Sequence, residues 1–161
     1  MVVQVVKFKA EFENVETFTI PEDHEWCFDI VIPSTGEVRE NVKFSTQEEV
    51  EVPNSRGIAN LVIKIDRNVH ATVTVEQLPK LVKSEFSGDD AGTFVPVLAV
   101  DCRGCEIKAW KPTGYYTVTT PSGSKFDEVD LESREWYEVD AEINEPVSVT
   151  QVETCIDAHR K

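Results

Sequence analysis

Glu40-Asn41-Val42-Lys43-Phe44-Ser45-Thr46-Gln47-Glu48-Glu49-Val50-Glu51-Val52 lies over Asp127-Glu128-Val129-Asp130-Leu131-Glu132-Ser133-Arg134-Glu135-Trp136-Tyr137-Glu138-Val139, from 40 on 127 to 52 on 139, a constant offset of 87 residues. Apolar side chains coincide at Val42/Val129, Phe44/Leu131, Val50/Tyr137 and Val52/Val139, and acids at 40/127, 48/135 and 51/138. Upstream, Phe28-Asp29-Ile30-Val31 matches Tyr116-Thr117-Val118-Thr119, and Ile32-Pro33-Ser34 matches Thr120-Pro121-Ser122. Self-similarity at a fixed spacing is the mark of a repeated structural unit. The expected fold is therefore all-β and internally duplicated, two related β units packed about a pseudo-twofold axis.

Outward from this match, almost every segment reads as strand. Valine and threonine recur with period two, and no window carries a 3.6-residue apolar stripe. Expected strands are 2–12, 26–31, 38–44, 49–52, 59–65, 71–78, 94–101, 115–119, 125–131 and 147–155. Residues 133–139 are read as strand in preference to a short helical turn. Turn chemistry separates the strands, as in Pro33-Ser34-Thr35-Gly36, Asp66-Arg67-Asn68 and Pro121-Ser122-Gly123. The small, acidic run Ser87-Gly88-Asp89-Asp90-Ala91-Gly92 marks 83–93 as a linker between an N-terminal unit, 1–82, and a C-terminal unit, 94–161.

Sixteen basic and thirty acidic side chains leave a net charge of −14 over 161 residues. Such a surface repels phosphate backbones and anionic leaflets, so neither nucleic acid nor membrane is expected as a partner. Asp127 to Glu145 holds nine carboxylates against one base, Arg134. That run reads as a solvated face that keeps the chain soluble, or as a docking patch for a basic partner. The longest apolar run, Phe94 to Val100, is too short to span a bilayer. Met1 to Ala10 reads as a strand and not as a signal sequence, so the four cysteines are expected as reduced thiols in a cytoplasmic protein.

Cys102-Arg103-Gly104-Cys105 is the one motif with a reactive look. A redox C-x-x-C places its attacking thiol at a helix N-terminus, whereas Glu106 to Trp110 is poor helix material. Asp101 and Glu106 also oppose thiolate formation. A β turn with one packed thiol is the plainer reading. Cys27 and Cys155 are isolated, and His24, His70 and His159 have no metal-ligand spacing. His24, between Asp23 and Glu25, is expected to be solvated. Phosphate-binding, dinucleotide-binding and nucleophile-elbow motifs are absent from the sequence.

An ordered set of short stretches carries a family resemblance. Phe8-Lys9-Ala10-Glu11-Phe12, Ser55-Arg56-Gly57-Ile58-Ala59-Asn60, Asp101-Cys102-Arg103-Gly104 with Trp110-Lys111-Pro112, and Phe126-Asp127-Glu128-Val129-Asp130-Leu131 with Trp136 and Asp140 resemble the eukaryotic C-x-x-C motif containing zinc-binding protein family. The resemblance implies sandwich-like and prism-like sheets, and one zinc held by two C-x-x-C pairs. The pairs' positions are occupied here by Ile32 and Thr35, and by Ile65 and Asn68. The resemblance thus implies a divergent member without zinc, in which burial of Ile32 and Ile65 contributes about 3–5 kcal/mol where metal would tie two loops. Cys102 belongs to the family's Cys-Arg-Gly element and not to its zinc pairs. The function expected is that of a non-enzymatic, cofactor-free scaffold that binds other proteins, with Arg56-Gly57 and Arg103-Gly104 as surface candidates. The alternative is thiol-based redox or metal handling through Cys102 and Cys105.

Overall fold

The computed structural model describes residues 2–160. Its strands are β1 (Val2–Glu13), β2 (Thr17–Thr19), β3 (Glu25–Ile32), β4 (Glu37–Ser45), β5 (Val50–Glu51), β6 (Ile58–Ala59), β7 (Leu61–Asp66) and β8 (Val69–Val75). They continue as β9 (Glu85–Ser87), β10 (Val95–Arg103), β11 (Glu106–Lys111), β12 (Tyr115–Thr119), β13 (Lys125–Asp130), β14 (Trp136–Asp140) and β15 (Glu145–Arg160). Helix among the described residues is one 3-10 turn, Gly88–Asp90. The chain is all-β.

The sheets are β14-β15-β1-β10-β8-β7, β11-β3-β4, β13-β12-β2-β9 and the small pair β5-β6. Strands β1 and β10 pair antiparallel at the centre of the first sheet. Outward from them lie β15 and then β14 on one side, and β8 and then β7 on the other. The smaller sheets show the same exchange: β2 pairs with β12, and β11 with β3. This order interleaves strands from the two halves of the chain. Within the opening self-match, β3–β4 and β12–β13 are both antiparallel hairpins. Its downstream end diverges, because Val50-Glu51 enters the small pair and Tyr137 to Val139 lies at the edge of the large sheet.

Segment 83–93, read as a linker, is packed structure. Phe18 and Phe86 stand opposite one another where β2 pairs with β9, their ring centroids 5.1 Å apart. Ser87 caps the 3-10 turn that follows. Phe18 also stacks on Phe8 and Tyr116, at 5.1 and 5.4 Å. A second run of rings, Trp110, Trp26, Phe28 and Phe44, continues this core. The aromatic core thus joins the six-stranded sheet to both smaller sheets. Aromatic pairs at these separations add to the burial of their surface.

Candidate functional site

β3 ends at Ile32, and a tight turn returns the chain into β4. Thr35 and Gly36 both donate backbone N–H to the Ile32 carbonyl, at 3.2 and 2.8 Å. Gly36 takes φ +75, a left-handed conformation that glycine adopts without strain. The neighbouring β7–β8 turn holds itself by an Arg67 N–H bond to Asp66 Oδ1, at 2.7 Å. An open cavity of about 760 Å³ is lined by residues of both turns, Pro33, Ser34, Ile65 and His70 among them. Ile32 is fully buried and Ile65 half-buried, in one apolar cluster. Thr35 and Asn68 are exposed.

Cys102 and Cys105 line the same cavity, although 34 residues separate Asn68 from Cys102 in sequence. They flank the corner where β10 turns into β11. Gly104 at that corner takes φ +76, and a Cβ there would stand 3.4 Å from the Ala71 Cβ, so the corner rests closely on β8. The Cys105 thiol is buried and donates to the Thr72 carbonyl at 3.6 Å. This is the turn with a packed thiol that the residues suggested. The Cys102 thiol is its neighbour across the corner. Interaction with Cys105, followed by burial, pushes the Cys102 thiol up, and the same interaction draws Cys105 down against its own burial.

Arg103 is exposed and pairs with Asp101, Nε to Oδ2, at 3.2 Å. Arg56 and Gly57 are exposed on the β5–β6 turn. Gly57 N–H donates to Ser55 Oγ at 3.1 Å and, unlike Gly104, it is not in the left-handed region. Among the described residues no hydrogen bond or ion pair joins the Arg56 turn to the Arg103 turn.

A second pair of turns is that of β12–β13 and β14–β15. They are tied by Asp140. Its buried carboxylate accepts bonds from Thr120 Oγ1 at 2.8 Å, Ser122 Oγ at 2.6 Å, Ser124 Oγ at 2.7 Å and the Glu142 N–H at 3.1 Å. These donors, Ser122 first, hold its pKa down at about 2. The three hydroxyls were legible in Thr120-Pro121-Ser122-Gly123-Ser124, but the acid that gathers them lies 16 residues beyond Ser124.

The acid-rich run spans β13, at the edge of the four-stranded sheet, and β14, the outer strand of the large sheet. Glu132, Glu135 and Glu138 are exposed. So are Tyr137, Val139 and Ile143, at 64%, 53% and 45%. Trp136 faces the other way, its ring edge-on to Phe126 at 5.4 Å.

His24 corrects the expectation of a solvated side chain. Only 4% of it is exposed, and its ring lies 4.8 Å from Tyr116 and 5.2 Å from Trp26. Burial lowers its pKa to about 4, against the opposing charge of Asp23. The polar neighbours suggested a wet turn, but the turn folds its imidazole onto the aromatic core.

The family model for the eukaryotic CXXC motif containing zinc binding protein matches residues 5–157. The chain belongs to this family. A Schizosaccharomyces pombe UPF0587 protein, C2D10.03c, is 29% identical over 157 residues, covering 94% of this chain and 95% of the relative. The CXXC motif containing zinc binding protein of Rattus norvegicus is 25% identical over 150 residues, covering 91% and 92%. Among solved structures, a hypothetical protein from Plasmodium falciparum has a TM-score of 0.89 at 25% identity, with 98% and 100% of the chains covered. C1orf123 has 0.83 at 21%, covering 96% and 98%, a likeness of fold.

The zinc in the family's name can be tested against the donors present. Zinc in a structural site takes four sulfur or nitrogen ligands. Ile32 and Ile65 offer no donor atom, and Thr35 and Asn68 offer only a hydroxyl and an amide, both exposed. The four positions do not fit the metal. Among the described residues no cluster of three His, Cys, Asp or Glu side chains is arranged to hold one, and no helix is long and apolar enough to cross a membrane.

Proposed function

We propose that this member of the CXXC zinc-binding family is a metal-free, non-enzymatic module that binds other proteins in the cytoplasm through its surface strands and turns. The observation that carries the reading is the exposure of Tyr137 and Val139 on an acidic strand that is paired on one side only. Apolar groups standing in water beside unpaired backbone mark contact surfaces. The polar groups that the fold buries serve packing: Asp140 ties two turns, and His24 packs against two aromatic rings. The exposed Arg103 corner and Arg56 turn are further contact candidates. Affinity capture from the source cells, compared between wild type and Arg103→Ala, tests the reading. Specific partners captured by the folded wild type support it, and an empty capture overturns it.

A second reading, thiol chemistry or metal handling at Cys102 and Cys105, is favoured by the contact of the two thiols beside an open cavity. Its test is alkylation rate against pH at each cysteine, together with metal content. A redox pair would show a midpoint well below the free-thiol value of about 8.5 and would reduce a test disulfide.

A further inference from the structure

We propose that the outer edge of β14 is a docking strand that takes an extended basic segment of another protein as an added strand. The proposal rests on the interaction reading above and names its site and partner.

The pairing with β15 determines which backbone groups are available. Val139 stands opposite Pro146, and Tyr137 opposite Ser148. Proline has no N–H, so Val139 and Pro146 cannot exchange the two bonds of a hydrogen-bonded pair. Val139 therefore turns its N–H away from β15. The structure bears this out: that N–H is met by Glu138 Oε1, a side chain of the same strand, at 3.1 Å. Alternation along an antiparallel ladder puts the Tyr137 backbone groups on the same outer side. β14 is a terminal strand of its sheet. Its outer edge thus presents two residues of backbone, one already capped by a carboxylate that an incoming carbonyl would displace.

The side chains choose the occupant. Tyr137 and Val139 stand exposed on one face, with Glu135 preceding them and Glu138 between them in the strand, both exposed. A strand added here would bring its alternate side chains beside these. The exposed acids on and beside the strand, Glu132, Glu135, Glu138 and Glu142, stand with one base, Arg134, which suits lysine or arginine alternating with apolar residues. A second copy of this chain would set acid against acid, which disfavours edge-to-edge pairing of the chain with itself.

The probe is a fluorescein-labelled peptide of alternating lysine and valine, compared with the same peptide N-methylated on its valines and with a glutamate–valine peptide. Anisotropy with the full chain should show binding of the lysine peptide, weakened by added salt, with amide shifts concentrated in β14. N-methylation should weaken it by about tenfold or more, the loss of one or two backbone bonds. Val139→Pro should do the same, since that N–H is not in the β15 ladder, with folding checked by thermal midpoint. Glu135→Lys with Glu138→Lys should transfer preference to the glutamate peptide. Equal binding of methylated and unmethylated peptides overturns the proposal, and this arm needs no variant to fold. Amide shifts outside β14 also overturn it, as does a self-association by sedimentation that Val139→Pro abolishes. If Val139→Pro captures the same cellular proteins as wild type, the edge falls and the interaction reading stands. If wild type captures none, the interaction reading falls and the peptide result alone decides the edge.

Discussion

Ser122 Oγ lies 2.6 Å from Asp140 Oδ2, and this bond crosses from the β12–β13 turn to the end of β14. With Thr120 and Ser124 it makes a carboxylate–hydroxyl tie between two turns. The β3–β4 and β7–β8 turns contain the positions where the family resemblance implies zinc. The β12–β13 and β14–β15 turns are thus joined by hydrogen bonds to a buried acid. At the other two turns Ile32, buried, and Ile65, half-buried, share one apolar cluster.

Asp140→Asn should lower the thermal midpoint more than Glu142→Gln does. An amide NH2 in place of either oxygen faces donors, the Thr120 and Ser122 hydroxyls at Oδ2 or the Ser124 hydroxyl and Glu142 N–H at Oδ1, and a lost partner leaves buried polar atoms unsatisfied. The pH dependence follows from the depressed pKa. The folded carboxyl titrates near 2 and the unfolded one near 3.8. Its contribution is therefore complete above the unfolded value and is lost as pH falls through that window. Thermal melts of both variants between neutral and acid pH check this, and equal midpoints for the two would count against the tie.

His24 makes a second acid-sensitive contribution with its own window. The unfolded imidazole takes a proton below about 6.5, whereas the folded one resists to about 4. Between those values the unfolded state binds more protons, so stability falls as pH falls, by about 3 kcal/mol across the window. His24→Phe keeps a ring against Trp26 and Tyr116 and should flatten this part of the profile. Urea midpoints against pH for wild type and variant supply the difference, and parallel curves would refute it.

Gly88→Ala should destabilise by about 2 kcal/mol or more, the scale of overpacking. A Cβ at Gly88 would stand 2.1 Å from the Val15 carbonyl oxygen, and the Gly88 N–H is bonded to Glu16 O at 2.9 Å. Gly123→Ala, with nothing within 4 Å but φ +91, should cost only the backbone strain, about 1 kcal/mol. Denaturant unfolding of the two variants ranks them. The opposite order would mean that 83–93 behaves as the free linker its composition suggests.

The protein purified without chelator should carry no stoichiometric zinc. Ile32→Cys, Thr35→Cys, Ile65→Cys and Asn68→Cys combined should bind about one zinc ion per chain. Elemental analysis measures both. Zinc on the wild type would point to the cavity lined by Cys102 and Cys105.

Cys102→Ala should shift alkylation of Cys105 to higher pH, because it removes the neighbour that favours the Cys105 thiolate. An unmoved midpoint would show that the contact between the two thiols has no energetic weight.

The strand-rich, helix-poor build was written in local pattern: period-two alternation, β-branched residues and turn dipeptides act between near neighbours and can be read directly. So were the strands of the β3–β4 and β12–β13 hairpins, and the packed thiol of the corner that holds Cys105. Strands β2, β9 and β11 escaped that reading, because Thr17–Thr19 and Glu85–Ser87 are too short to show a period and become strands by pairing with each other. The same contact turned a small, acidic segment into packed structure through Phe86. His24 looked solvated because its sequence neighbours are acids, yet its spatial neighbours are rings of β3 and β12. The meeting of Cys102 and Cys105 with the 32–35 and 65–70 turns, the gathering of three hydroxyls on Asp140, and the outward N–H of Val139 all depend on which strand lies beside which. Pairing of distant segments is decided by the whole core closing at once, so tertiary structure alone placed them.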